Sequence, residues 1–278
     1  MSIEFFCDIG SNFISIENNK PSLNRALSLI ERAADIGCTG VKFQYFKANK
    51  LWNRNKFPQE YEAALKRELP FEWIPVLYDK ANSCDVLFGL SVFDIEDIEK
   101  VNPYVDYFKI ASFEAGWFDL IKTCFMTGKR LMLSLGQIDR NEIQHTIASL
   151  PVDTTEAIWI DILHCVSNYP TKLKDCNLGI IKTNPVINGW SDHTTERAVI
   201  FAAVMAGAKV IEFHFDDGFG IEKGHSWTPW IISSVIETVK DMEVAMGSDN
   251  WDEVVKKQDR TYKADSKTGI RGGIDERL

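Results

Sequence analysis

Eight short apolar runs, each followed by a helix-period or polar stretch, recur along this chain of 278 residues. They are IEFFCDIG (3–10), TGVKFQYF (39–46), VLFGLSVF (86–93), YFKIAS (107–112), RLMLSLG (130–136), AIWIDILHC (157–165), VINGWSDH (186–193) and KVIEFHF (209–215). Runs of this kind, rich in β-branched and aromatic side chains and spaced by helices, predict βαβ units and a parallel sheet. Residues 22–37 show the intervening pattern. Ser22 offers an N-cap, Leu23, Ala26, Leu27, Ile30 and Ala33 form an apolar stripe, and Gly37 marks the stop. Residues 195–208 read as a small-residue helix suited to lying close on a sheet.

Eight β/α units in this length predict an α/β protein, a single-domain (β/α)8 TIM barrel over residues 1–245. A doubly wound open sheet is the alternative, because periodicity does not reveal closure. The absence of G-x-G-x-x-G after the first run weakens its dinucleotide-binding version. The stretch 51–73 exceeds an ordinary barrel connection and predicts a lid or flap over the mouth. Residues 246–278 turn polar and predict a tail packed on the barrel, with no separate domain.

A hydrophobic content of 45% with 26% charged residues is that of a globular protein in water. The net charge of −9 argues against a nucleic-acid surface, which needs a basic stripe, yet leaves room for a small anionic substrate. The six cysteines form no C-x-x-C pair and read as reduced, buried thiols. The opening MSIEFFCDIG has no basic segment ahead of an apolar one, and no run reaches about 18 apolar residues. Neither a signal peptide nor a membrane span is expected, and the location predicted is cytoplasmic.

In a barrel the site lies at the C-terminal strand ends, where this chain collects polar groups. The first run offers Asp8 and then Asn12, and the second Lys42 and Gln44, which share a face by period two. Ser91 ends the third, and Lys109, Ser112 and Glu114 belong to the fourth. Ser134 ends the fifth, His164, Ser167 and Asn168 the sixth, Ser191 and His193 the seventh, and Glu212 and His214 the eighth. Lysines inside apolar strands are costly unless an anion pairs with them. Lys42 and Lys109, with hydroxyls around them, therefore suit a phosphate or carboxylate ligand, or else pair with Asp8, Glu114 or Glu212. His193 and His214, at the ends of adjacent strands, suit a divalent metal. His164 is either a third such group or a buried hydrogen-bonding histidine. His225, in the loop after the eighth run, is within reach of the mouth, and His145 reads as a surface residue.

These motifs in this order resemble the N-acetylneuraminate (sialic acid) synthase family: DIGSN, GVKFQYFKA, YEAALKRELPFEW, YFKIASFE, GKRLMLSLG, LHCVSNYPT, GWSDHT and GAKVIEFHF. The resemblance runs from about residue 5 to 215. It implies a barrel enzyme that condenses phosphoenolpyruvate with the aldehyde of an open-chain amino sugar, giving a sialic-acid-like 2-keto-3-deoxy sugar acid and phosphate. It also implies a divalent metal, Mn2+ or Mg2+, held by His193 and His214. By motif position Lys42, Ser91, Lys109, Ser112, Ser134, Ser167 and Ser191 would hold phosphoenolpyruvate. Gln44 and Glu114 would face the reacting centre, with Glu114 or Asp8 managing protons, and Asn12, His225 and His164 would stand on the acceptor side. The partners expected are these two small molecules, with no nucleic acid and no membrane.

The chain departs from the family pattern in four places. Asp8 stands where the family usually has Glu, and Asn12-Phe13-Ile14-Ser15 replaces N-H-N-G. GIEKGHSWTP replaces the G-P-D motif after the eighth run, so the Asp of that motif is missing. The small antifreeze-like domain, which in the family lends an arginine to the partner's site, does not follow. An altered acceptor is therefore expected, and any homodimer would not form through a swapped domain. Arg260 and Arg271 read as solvated charges. Two other readings stay open on these departures: a barrel without turnover serving as a binding or scaffold subunit, and a metal-dependent keto-acid aldolase.

Overall fold

One pairing decides closure. Strand β1 (Glu4–Gly10) lies parallel to, and bonds with, both β2 (Gly40–Tyr45) and β8 (Val210–Phe215). Between them stand β3 (Leu87–Val92), β4 (Tyr107–Ile110), β5 (Arg130–Ser134), β6 (Ile160–Cys165) and β7 (Gly189–Asp192), each bonded in parallel to its sequence neighbours. An open sheet keeps two edges, and this one keeps none between β1 and β8, so the doubly wound alternative falls. A two-residue strand, β9 (Ser226–Trp227), adds on beside β8. These facts come from a computed structural model that describes residues 2–139, 141, 142, 145, 160–222 and 224–247. The chain divides into two compact units, Met1–Lys240 and Asp241–Leu278, and the strands belong to the first. The expected tail, 246–278, lies outside the described residues apart from Met246 and Gly247.

Helices α1 (Leu23–Asp35), α2 (Ala48–Leu51), α3 (Pro58–Arg67), α4 (Ile74–Ser83), α5 (Ile95–Val101) and α6 (Phe118–Phe125) fall in the first half. They are followed by α7 (Gly179–Thr183), α8 (Arg197–Ala206) and α9 (Pro229–Met246). The capping of α1 follows the sequence. Ser22 Oγ accepts the Arg25 N–H at 3.3 Å, and the chain turns away after the helix through Gly37 at φ +84. Its buried stripe is Ala26, Leu29, Ile30 and Ala33, so Leu29 takes the place expected for Leu23 and Leu27. That set follows the i, i+3, i+4, i+7 spacing of one helix face.

Alternation along the strands stacks the barrel interior in layers. At the N-terminal ends Arg130 binds Asp161 (2.6 Å) and Glu4 (2.9 and 2.7 Å). Next comes an apolar layer of Phe6, Tyr107, Met132, Leu163 and Val210, with Leu87 packed against it. The Tyr107 ring crosses the barrel, and its hydroxyl donates to Val41 O at 3.0 Å. Gly89 makes room for it, since a Cβ there would stand 2.2 Å from the ring. Two residues further along each strand the interior becomes polar: Asp8, Lys42, Ser91, Lys109, Ser134, Ser191 and Glu212, all buried. The apolar layer is thus the floor on which the site stands.

Candidate active site

A cavity of about 520 Å³ opens above that floor. Strand ends supply Asp8, Lys42, Gln44, Ser91, Lys109, Ser112, Ser134, Cys165, Ser191, His193, Glu212 and His214 to its lining. The stretch expected as a lid forms one wall, with Leu51 at the end of α2, Trp52 just after it, and Glu60, Ala63, Ala64 and Arg67 from α3. It is anchored by an apolar cluster of Phe46, Ala48 and Ala64, against which Leu51, Trp52, Tyr61 and Phe93 pack.

The two lysines are paired. Lys42 Nζ meets Asp8 Oδ2 at 2.7 Å and Ser91 Oγ at 2.8 Å. Lys109 Nζ donates to Ser134 Oγ at 2.8 Å and Ile110 O at 3.1 Å. Glu212 lies between them, at 3.7 Å from Lys42 and 3.4 Å from Lys109, and accepts from Ser191 Oγ at 2.7 Å. Each ammonium thus makes two short contacts, and the Glu212 carboxylate, at longer range, faces both. Burial works to raise the Asp8 carboxyl, but Lys42 and then His214 outweigh it and hold it at about 2. Burial also opposes charge on Lys42 and on Glu212. Asp8 and Glu212 nevertheless raise the Lys42 ammonium, and Lys109 and Lys42 lower the Glu212 carboxyl. Asp8, Lys42 and Glu212 therefore stay ionised at neutral pH.

Ser167 stands just behind this layer, donating to Ser112 Oγ at 2.7 Å. Gly136 lies bare against the pair, for a Cβ there would fall 2.4 Å from Ser167 Oγ and 3.1 Å from Ser112 Cβ. Glu114 lies behind the lining. Its Oε2 is buried and, among the described residues, has no hydrogen-bond partner. Burial pushes its carboxyl up to about 7, with Lys109 pulling the other way.

At the rim the histidines separate. His193 Nδ1 donates to Val166 O at 2.7 Å, which leaves Nε2 with its lone pair. Burial, reinforced by His214, lowers the His193 ring to about 3, so it is neutral and fit to be a ligand. The His193 and His214 rings lie 5.4 Å apart. His225 joins them, its ring 4.6 Å from His214, and Tyr169 packs against all three at 4.1, 5.8 and 5.1 Å. His164 lies elsewhere. As the neighbour of inward-facing Cys165 it points to the opposite face of β6, where Nε2 bonds Cys176 O at 2.8 Å and the ring meets Trp190. Asn12 is also off the lining. Its amide bridges Phe215 O (2.9 Å) and the Glu222 N–H (2.9 Å), bracing the loop after β8. His145 is exposed, with Phe118 at 4.6 Å.

Sequence reasoning passes over Glu222. It is the third residue of Gly220-Ile221-Glu222, in the segment that stands in place of G-P-D. Its carboxylate accepts from Ser11 N at 2.7 Å and meets His214 Nδ1 at 3.1 Å. Burial opposes a charge on His214, but Asp8 and Glu222 raise its ring above the ordinary value. One donor atom from each of His214, Glu222 and His225 lies within 4.8 Å of the other two. Two imidazoles and a carboxylate fit a divalent transition metal. The signal was there in the spacing, Gly220 followed two residues later by an acid in the loop after the eighth run.

A closed (β/α)8 barrel with buried lysines and hydroxyls at its strand ends, rimmed by imidazoles and a carboxylate, has the architecture of a barrel enzyme. The NeuB family profile matches residues 29–250. The N,N'-diacetyllegionaminic acid synthase of Legionella pneumophila is 31% identical over 255 residues, covering 83% of this chain and 71% of that protein. The pseudaminic acid synthase of Helicobacter pylori is 27% identical over 84% of this chain and 74% of its own length. In fold, the chain superposes on the N-acetylneuraminic acid synthetase of Leptospira borgpetersenii, solved with citrate, at a TM-score of 0.81. That match has 23% identity and covers 92% of this chain and 91% of the other. The chain belongs to the NeuB family and is an enzyme of its sialic-acid-type condensing class.

Proposed function

We propose that the chain condenses phosphoenolpyruvate with the aldehyde of an open-chain amino sugar, forming a sialic-acid-like 2-keto-3-deoxy sugar acid and phosphate. The observation that carries this is the pair Lys42 and Lys109, both buried in the cavity lining with hydroxyls alongside. A small ligand bearing both phosphate and carboxylate matches two fixed cations better than a neutral sugar does. Ser91, Ser134 and Ser191 would add hydroxyl donors, with Ser112 and Ser167 beside the bare Gly136. In the reaction a carbon–carbon bond forms between C3 of phosphoenolpyruvate and the aldehyde carbon. Water adds at C2, and the C2–O bond to phosphorus's oxygen breaks as phosphate leaves. The lysines and hydroxyls would hold the charge that collects on the departing phosphate.

Glu114, with a carboxyl near 7, is suited to exchange a proton at neutral pH. Gln44 donates to Asp8 Oδ2 at 3.2 Å, and the pair would orient the acceptor. A divalent metal, held by His193 and His214, would supply Lewis-acid polarisation of the aldehyde when bound. The acceptor would lie against the α2–α3 wall, whose Trp52, Glu60 and Arg67 differ in character from the anion-binding floor. The location that goes with this reading is the cytoplasm; the six cysteines form no disulfide, and among the described residues no helix is long and apolar enough to cross a membrane.

The test is incubation with phosphoenolpyruvate, Mn2+ and a panel of N-acylated and free amino sugars, following phosphate release and the keto acid by mass spectrometry. Phosphate release that requires one of the sugars is the expected result. Failure with every sugar, together with unchanged phosphoenolpyruvate binding in Lys42→Met and Lys109→Met, would overturn the reading.

A further inference from the structure

The loop after β8 is built to bring two more donors to His214. Arg25 anchors it from α1, binding Asp216 Oδ1 at 2.8 Å and Asp217 Oδ2 at 2.9 Å while its Nε donates to Asn12 O at 2.6 Å. Asp216 Oδ1 accepts the Gly220 N–H at 2.7 Å, and Asn12 Oδ1 accepts the Glu222 N–H. On the facing side, β1 ends in a bulge between Asp8 and Gly10. Gly10 has φ +55, and a Cβ there would stand 2.6 Å from both carboxylate oxygens of Glu222. Glycine at this point therefore does two things: it permits the left-handed turn, and it leaves the space the carboxylate fills. The Ser11 N–H then holds that carboxylate in place. A side chain fixed by its loop, by a bare glycine and by a backbone donor is aimed at something, and what it faces is His214 with His225 beyond.

We propose that Glu222 and His225 join His214 as direct ligands of a divalent metal, a two-imidazole, one-carboxylate set that selects transition metals over Mg2+. The proposal rests on the condensing role above only for the metal's purpose, not for its binding. Metal–ligand bonds of about 2.1 Å need ligand–ligand edges of about 3.0–3.4 Å. The three donors already lie within 4.8 Å of each other, with His214 and Glu222 at 3.1 Å, so ring and carboxylate rotations close the set. Mg2+ favours oxygen ligands and its own water shell, whereas imidazole suits Mn2+, Co2+ and Zn2+. His193, just past the neighbouring strand β7, has its ring 5.4 Å from that of His214.

Metal-free protein, without phosphoenolpyruvate, is titrated calorimetrically with Mn2+ and with Mg2+, and with Co2+ by visible absorption. The unsubstituted protein is expected to bind Mn2+ about tenfold or more tightly than Mg2+, and His225→Ala and Glu222→Gln each to weaken Mn2+ about tenfold or more. The Co2+ band should change in His225→Ala and return on adding imidazole, a rescue that a merely structural histidine would not show. Gly10→Ala, which displaces the Glu222 carboxylate while replacing none of the ligand residues, should weaken Mn2+ as well. Circular dichroism of the metal-free variants separates misfolding from lost ligation. Mn2+ affinities within twofold of the unsubstituted protein in both ligand variants, with an unaltered Co2+ band, would overturn the proposal. If condensation fails while these variants lose Mn2+, only the activity reading falls. If condensation proceeds while they bind Mn2+ normally, only the ligand set falls.

Discussion

Glu114 shows how one buried oxygen sets a pH response. Its folded carboxyl, pushed up to about 7 by burial against the partial counter-pull of Lys109, binds its proton more tightly than an exposed Glu. The sign follows from linkage: the unfolded chain gives up that proton first, so folded stability falls as pH rises from the ordinary carboxyl range through about 7. Glu114→Gln keeps the shape without the charge. It should melt higher than the unsubstituted enzyme at pH 8, by roughly 2 °C or more for each kcal/mol relieved, and at the same temperature as the unsubstituted enzyme at pH 4. Differential scanning calorimetry at the two pH values checks this, and an equal difference at both would count against it. Residues of this kind are legible in sequence as candidates but not as a pKa. Glu114 was visible in KIAS-F-E, whereas its buried, unpartnered Oε2 was not. Asn12 and His164 make the converse point, since each is a polar group at a strand end that the fold turns to bracing.

Strands β3 and β4 carry a dependence that no single element shows. Gly89 is bare because Tyr107, on the neighbouring strand, lays its ring where a Cβ would be. Gly89→Ala should destabilise by about 1–3 kcal/mol, the usual cost of overpacking a filled core. Tyr107→Leu alone should also cost stability, because it deletes the hydrogen bond to Val41 O. The two together should cost less than their sum, since Leu vacates the contested space, and denaturant unfolding of all four proteins measures that coupling. Strict additivity would contradict the packing account. Helix α1 illustrates how far element-level reading reaches. Ser22 and Gly37 end it where capping rules say, yet Leu29 is buried in place of Leu23 and Leu27, because the sheet beneath chooses the face.

At the scale of the whole barrel, closure gathers groups that lie about 200 residues apart in the chain. Asp8 on β1 stands beside His214 on β8 only because those two strands pair, and Ser11 reaches Glu222 for the same reason. A ligand bridging them ties both sides of the closing seam, so binding should stabilise the folded chain as a unit. At one hundred times its dissociation constant a ligand adds about 2.7 kcal/mol, so Mn2+ with phosphoenolpyruvate should raise the melting temperature by roughly 5 °C. Chelation should reverse the metal's share. A melting temperature unmoved by saturating amounts of either would argue that the rim and floor are not the binding surfaces.

The order of β/α units, the strand cores, the caps of α1 and the polar residues at strand ends could all be read from residue types and spacing. Those features depend on local periodicity and on the few side chains that suit each position. Closure, the face each polar group takes and the pairings on the cavity floor could not be read that way. Lys42 with Asp8, Lys109 with Glu212, and Glu222 with Ser11 are contacts between strands and loops far apart in sequence. The strength of each depends on burial and on the neighbouring charges, which exist only once β1 meets β8. The chain announced its chemistry in its residues, and the barrel, by bringing its ends together in a water-poor interior, decided which of them act on one another.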